Sequence, residues 1–179
     1  MPAIVAPTLS DGEIGVRPLA TADIPDILAA CTDPEIPRWT RVPSPYTRED
    51  AARFIAIAAA EAAAGAGVAL AIADADGRLI GTIGLMEVDG ERGYGEIGYW
   101  TAAPARGRGA ATRAVALLRD WAHAELGLTE VEVLAHRDNR PSQRVAERAG
   151  FADTGETRSV PRMPARIRDG YKVYAWRAG

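Results

Sequence analysis

The chain has 179 residues, 47% of them apolar and 25% charged, enough to bury a core and typical of a globular protein. A net charge of −3 gives no whole-chain attraction to nucleic acid or to anionic membranes. Cys31 is the sole cysteine, so an intrachain disulfide and a Cys/His metal cluster are both excluded.

A single domain over 1–179 in the cytoplasm is the expectation, with no basic, apolar leader in "MPAIVAPTLSDGE". Lys172 is the only lysine. Arginine supplies nearly all the positive charge, and the heavy use of alanine matches a GC-rich coding bias, so arginine clusters are read with a discount.

In chain order, "EIGVRP" (13–18) reads as a short strand. "TADIPDILAAC" follows as a helix with Thr21 as N-cap and Ile24, Ile27 and Leu28 on one face. The prolines of 34–45 predict loop. "TREDAARFIAIAAAEAAAG" is a helix opened by a capping box of Thr47 and Asp50 and stopped by Gly65. The stretch 54–73 has the length of a membrane span, but Glu61, Gly65 and Gly67 break it into a helix end, a turn and a strand. Three strands then form an antiparallel meander: "VALAIAD", "RLIGTIGLMEV" and "YGEIGYWT". Asp76-Gly77 and Asp89-Gly90 mark the turns between them.

The pattern then changes period. Ala111, Ala114, Val115, Leu118, Trp121 and Ala122 lie on one helical face, Gly127 stops the helix, and "TEVEVLAH" reads as a strand. A strand, a long helix and a strand imply a crossover and one parallel pair. Ser142, Val145, Ala146 and Ala149 repeat the helical spacing up to Gly150, and two last strands follow.

Between the third meander strand and the long helix runs "TAAPARGRGAATRAV" (101–115). Unpaired N–H groups and partial positive charge gather at a helix start. Gly107 and Gly109 would let a ligand approach, Arg106 and Arg108 add charge, and Thr112 offers a hydroxyl. A diphosphate suits that arrangement; a tight turn that needs glycine only for its backbone angles accounts for it as well. A dinucleotide fingerprint with Glu132 as ribose carboxylate fits poorly. The third glycine is missing, "AAPAR" separates the strand from Gly107, and antiparallel hairpins precede the motif.

"GEIGYW", "P..RGRGAATRAV" and "NRPSQRVAERAGF", in this order, resemble the GNAT acyltransferases, and most of all their RimJ/RimL type, which acetylates protein N-termini. "IGVRPLATADIPDILAACTDPEI" and "PSPYTREDAARFI" extend the resemblance nearly end to end. It implies an α/β fold with a mixed, mostly antiparallel seven-stranded sheet, flanking helices, and a splayed parallel pair formed by the fourth and fifth strands (β4/β5 in that count). It also implies acetyl-CoA as acyl donor, an amine as acceptor, and a homodimer. The pyrophosphate would lie on the backbone of Arg106, Gly107, Arg108, Gly109, Ala110 and Ala111, and the pantetheine along Tyr99, Trp100 and Thr101. Asn139 would bond a pantetheine amide, although it serves equally as a helix cap before Pro141. Arg140 and Arg144 would meet the nucleotide phosphate, or form a solvated helix face.

The sequence departs from the family at three places. Pro104 stands where Gln or Arg is usual. Ala146 stands where many members carry a thiolate-protonating tyrosine; the RimJ/RimL type is held to use a serine, here Ser142. "PRMPARIRDG" lacks a glutamate that RimL-like proteins carry before the last strand.

The chemistry needs a neutral amine, donors for an oxyanion, and a proton for the leaving thiolate. A backbone N–H of Tyr99–Trp100 is the oxyanion candidate, and Ser142 is the acid or simply hydrogen-bonds the sulfur; Glu96 stands where some members of the resembled family place a carboxylate that works through water, unless it is a sheet carboxylate paired with an arginine. His136, at a strand end, is the alternative base or incidental; His123 reads as surface. The loop around Trp39, the second helix and "SVPRMPARIR" would wall the acceptor site; Trp39 and Tyr46 would line it or anchor the proline-rich loop. Weak base chemistry favours an α-amine over lysine. Acylation of an antibiotic or metabolite, and a non-catalytic coenzyme sensor, are the alternatives.

Overall fold

A computed structural model describes residues 2–179. One sheet of eight strands runs in the order β1-β2-β3-β4-β5-β6-β8-β7. The strands are β1 (Leu9–Ser10), β2 (Gly15–Pro18), β3 (Val68–Ala73), β4 (Leu79–Asp89), β5 (Tyr94–Thr101), β6 (Glu130–His136), β7 (Ala152–Arg158) and β8 (Tyr171–Arg177). The two-residue β1 raises the expected seven to eight and moves the parallel pair from the expected fourth and fifth strands to β5 and β6. All other neighbours are antiparallel.

The helices are α1 (Ile24–Cys31), α2 (Glu35–Trp39), α3 (Arg48–Ala63), α4 (Ala110–Leu126) and α5 (Arg140–Arg148). Two corrections concern helix starts. Thr21 is not a cap: a short 3-10 turn at Thr21–Asp23 precedes α1, and the Asp23 carboxylate accepts the Ala20 N–H at 2.8 Å while pairing with Arg17. The proline-rich stretch also contains α2. Pro37 is its third residue, where the N–H would have no intrahelical acceptor, so proline costs no hydrogen bond there. The capping box of α3 forms as expected: Asp50 N–H donates to Thr47 Oγ1 at 3.1 Å and Thr47 N–H to Asp50 Oδ2 at 3.0 Å.

Alternation along the strands sorts the core onto two faces. Leu70, Ile72, Ile83, Ile97 and Val133 pack with Ala114, Val115 and Leu118 of α4 and Ala146 of α5. Ala71 and Leu79 pack on the other face with Ile24, Ile27 and Ile36 of α1 and α2 and Ala51 of α3. None of the helices among the described residues is long and apolar enough to cross a membrane.

Candidate active site

β5 and β6 pair from Tyr94↔Glu130 to Ile97↔Val133 and no further. Both strands continue, because each has another partner. β5 follows β4 to Thr101↔Gly81, and β6 follows β8 to His136↔Tyr171. The sheet therefore opens into a gap beyond Ile97. Gln143 of α5 supports the β6 side of it: buried at 3% exposure, its Nε2 donates to the carbonyls of His136 (3.0 Å) and Arg137 (2.8 Å). A cleft of about 1400 Å³ runs through this region and touches both faces of the sheet.

On the α4/α5 face, the cleft is bounded by the glycine loop. Gly107 and Gly109 take left-handed φ of +74° and +84°, and open space lies where a Cβ would project. The N–H groups of Gly107, Arg108, Gly109, Ala110, Ala111 and Thr112 donate to no acceptor among the described residues. Six consecutive free donors at a helix start form an anion nest. This run fits a diphosphate, so the chain has the donors that coenzyme A requires. Arg106 lies just outside it: its N–H donates to Ala103 O at 3.2 Å, and its guanidinium binds Thr101 O and Asp33. The side chains of Arg108 and Arg144 are exposed and make no ion pair among the described residues. Asn139 is the N-cap of α5, its Oδ1 accepting the Ser142 N–H at 3.2 Å. Its amide NH2 has no acceptor among the described residues. Tyr99 packs against the core on this same face, and its hydroxyl lies 3.0 Å from Ser142 Oγ. Burial pushes the Tyr99 phenol up to about 12.

On the α1–α3 face, Glu96, Trp100 and His136 line the other half of the cleft. Glu96 is 6% exposed and paired with Arg162, which enters from the β7–β8 loop. Burial raises the Glu96 pKa, and the Arg162 charge opposes that shift. The sheet-carboxylate reading of Glu96 thus has its arginine, while the side chain also lines the cleft.

Trp39 lines this half at the end of α2, stacked against His136 with ring centroids 5.5 Å apart. Tyr46 is half-buried with the α1–α3 core, and burial pushes its phenol up to about 12. His136 Nδ1 accepts the Asp138 N–H at 3.2 Å, so the neutral ring carries its proton on Nε2 and acts as a donor.

Sequence reading does not single out two residues here. One is Arg162, whose segment "SVPRMPARIR" it expects on the acceptor wall. The other is Tyr171, which faces His136 across β6–β8 with ring centroids 5.4 Å apart; its buried hydroxyl has no partner among the described residues. Tyr171 is set by strand register and Arg162 by the path of the β7–β8 loop, neither by a local motif. Glu132, weighed as a ribose carboxylate, is instead buried and binds Tyr94 and Arg158.

The Acetyltransferase (GNAT) domain model matches residues 13–152. The chain belongs to the GNAT acetyltransferases. The N-acetyltransferase p20 of Bacillus licheniformis, itself uncharacterized, is 27% identical over 92% of this chain and 93% of its own. YdaF of Bacillus subtilis (strain 168), whose name proposes a ribosomal N-acetyltransferase, is 40% identical over 46% of this chain, a stretch spanning 45% of YdaF. Mycobacterium smegmatis RimJ, solved in complex with CoA-disulfide, shares the fold with a TM-score of 0.81 at 22% identity, over 97% of this chain and 87% of its own.

Proposed function

We propose that this acetyltransferase uses acetyl-CoA to acetylate the α-amino group at the N-terminus of a peptide or protein, within one domain spanning the chain. The observation that carries the donor half is the row of six free N–H groups opening on a cleft that passes through the parted strands. Bound acetyl-CoA supplies an acetyl group activated as a thioester. The protein's part is to hold the diphosphate on Gly107–Thr112, with the Asn139 amide and the free edge of Tyr99, Trp100 and Thr101 orienting the pantetheine arm. Arg144 would meet a further phosphate. Ser142 offers a hydroxyl to the sulfur.

The acceptor half supports an α-amine. Glu96 receives the acceptor's proton in this reading, and its pairing with Arg162 makes it a mild base. With ordinary pKa values near 8 for an α-amine and 10.4 for lysine, about a quarter of the former and roughly a thousandth of the latter is neutral near pH 7.5. A mild base suffices for the first only. Trp39 and Tyr46 form part of the acceptor wall. A second groove of about 1120 Å³ shares Arg41, Phe54, Met86 and Arg162 with the cleft, which gives room for residues beyond the reacting one.

The test is thiol release from acetyl-CoA with two peptide sets, one with free N-termini and no lysine, the other N-blocked with an internal lysine. Free N-termini are expected to react at least tenfold faster. Faster lysine acetylation, or turnover confined to small amines, overturns the acceptor assignment.

A further inference from the structure

Tyr99 and Ser142 come from opposite sides of the gap, 43 residues apart in sequence, and meet at 3.0 Å between hydroxyl oxygens. Tyr99 lies on β5 two residues beyond the last parallel pair, and Ser142 is the third residue of α5, after β6. The contact therefore spans the opening in the sheet, and both residues line the cleft. We propose that Tyr99 is a positioning residue: its hydroxyl donates to Ser142 Oγ and so leaves the single Ser142 hydroxyl hydrogen directed to the sulfur of the acyl donor. The proposal rests on the reading that Ser142 serves that sulfur.

Hydrogen-bond inventory carries the argument. Each hydroxyl has one hydrogen, and in a pair only one can point at the other. Were Ser142 the donor to Tyr99, it would have nothing left for a ligand. Tyr99 is the better donor, because a phenol is far more acidic than an alkyl hydroxyl, and burial keeps it protonated across the neutral range. The alternative acceptor for Tyr99, the Ser142 carbonyl, is 3.5 Å away, outside the usual O–H···O range. Ser142's own N–H is spent on Asn139, which fixes the backbone beneath the hydroxyl. The arrangement also bears on Ala146, which stands where many family members carry a tyrosine. A phenol is present at the gap after all, supplied by β5 and acting through a serine.

The experiment compares the parent with Tyr99→Phe, Ser142→Ala and the double variant. The first readout is binding, by calorimetry, of coenzyme A and of an analogue lacking its sulfur. The parent is expected to prefer coenzyme A about fivefold, increasingly so as pH approaches the thiol's ordinary pKa of about 8.5. Both single variants should lose that preference while holding the sulfur-free analogue as tightly as the parent. The second readout is turnover: each single variant should lower kcat about tenfold with KM for acetyl-CoA within twofold, and the double variant should be no worse than Ser142→Ala. If Tyr99→Phe keeps the parent's preference and kcat while Ser142→Ala loses them, the positioning role is wrong and the Ser142 reading survives. If Ser142→Ala keeps both, the Ser142 reading itself fails. Loss of affinity for the sulfur-free analogue in Tyr99→Phe would make the tyrosine a wall of the cleft and overturn the proposal.

Discussion

Glu96 is a carboxylate with almost no access to water, held by a guanidinium that arrives from 66 residues away. Burial works against its charge and Arg162 works for it. A carboxyl whose pKa is raised in the folded state contributes stability that is full below the ordinary carboxylate range and is lost as pH rises through the folded value. Removing Arg162 should deepen that loss. Arg162→Ala is expected to cost about 3 kcal/mol near pH 8, where Glu96 would be left buried and unpaired, and much less at pH 4. Thermal melts across that range check the slope, and adding Glu96→Gln to Arg162→Ala should restore most of the difference at pH 8. A pH-independent deficit would mean that Arg162 matters only through packing.

α5 begins at a residue with two claims on it. Asn139 Oδ1 caps the helix through the Ser142 N–H, and its NH2 faces no acceptor of the chain. The two claims separate by substitution. Aspartate keeps the capping oxygen and removes the donor, whereas alanine removes both. Asn139→Asp should therefore melt close to the parent yet bind coenzyme A about tenfold more weakly, while Asn139→Ala also loses about 1 kcal/mol of stability. Equal coenzyme affinity in parent and Asn139→Asp, measured by calorimetry, would leave Asn139 as a cap alone. Such caps and stops were legible in the residues themselves: Thr47 with Asp50, and left-handed Gly65, Gly127 and Gly150 at or near the helix ends. The short α2 was not legible, because proline reads as a breaker until its place in the first turn is known.

At the scale of the molecule, the site exists because two neighbouring strands part without leaving either one unpaired. β4 and β8 hold the outer edges of β5 and β6, and Gln143 takes the carbonyls just beyond β6. Gln143→Leu should leave the Arg137 carbonyl without its donor and the His136 carbonyl with the Asn139 N–H alone, at 2.8 Å. The expected cost is about 2 kcal/mol, or a fall in Tm of roughly 4–8 °C for a domain of this size. Calorimetric melting checks it, and an unchanged Tm would show that the strands hold the opening by themselves. The parting also divides the labour. Alternation along β5 puts Tyr99 with Ser142 and α4 on one face and Glu96 with Trp100 on the other, so in the proposed reading donor and acceptor would approach through the sheet from opposite sides.

What the chain alone determined is everything that nearest neighbours decide. Helix faces, hairpin turns, most capping residues and the glycine loop follow from side-chain periodicity and backbone freedom over a few residues, while the likeness to the GNAT acetyltransferases lay in the motifs "GEIGYW", "P..RGRGAATRAV" and "NRPSQRVAERAGF". Only the tertiary structure decided which groups meet across the gap. Arg162 on Glu96, Tyr171 against His136, Tyr99 on Ser142 and Gln143 under the end of β6 all join segments whose proximity depends on sheet register and loop path. Local propensity carries no information about those, since a shift of one residue in pairing would turn the strand side chains Glu96, Tyr99, His136 and Tyr171 to the opposite face, and the partners on α5 and the β7–β8 loop are brought in by chain path.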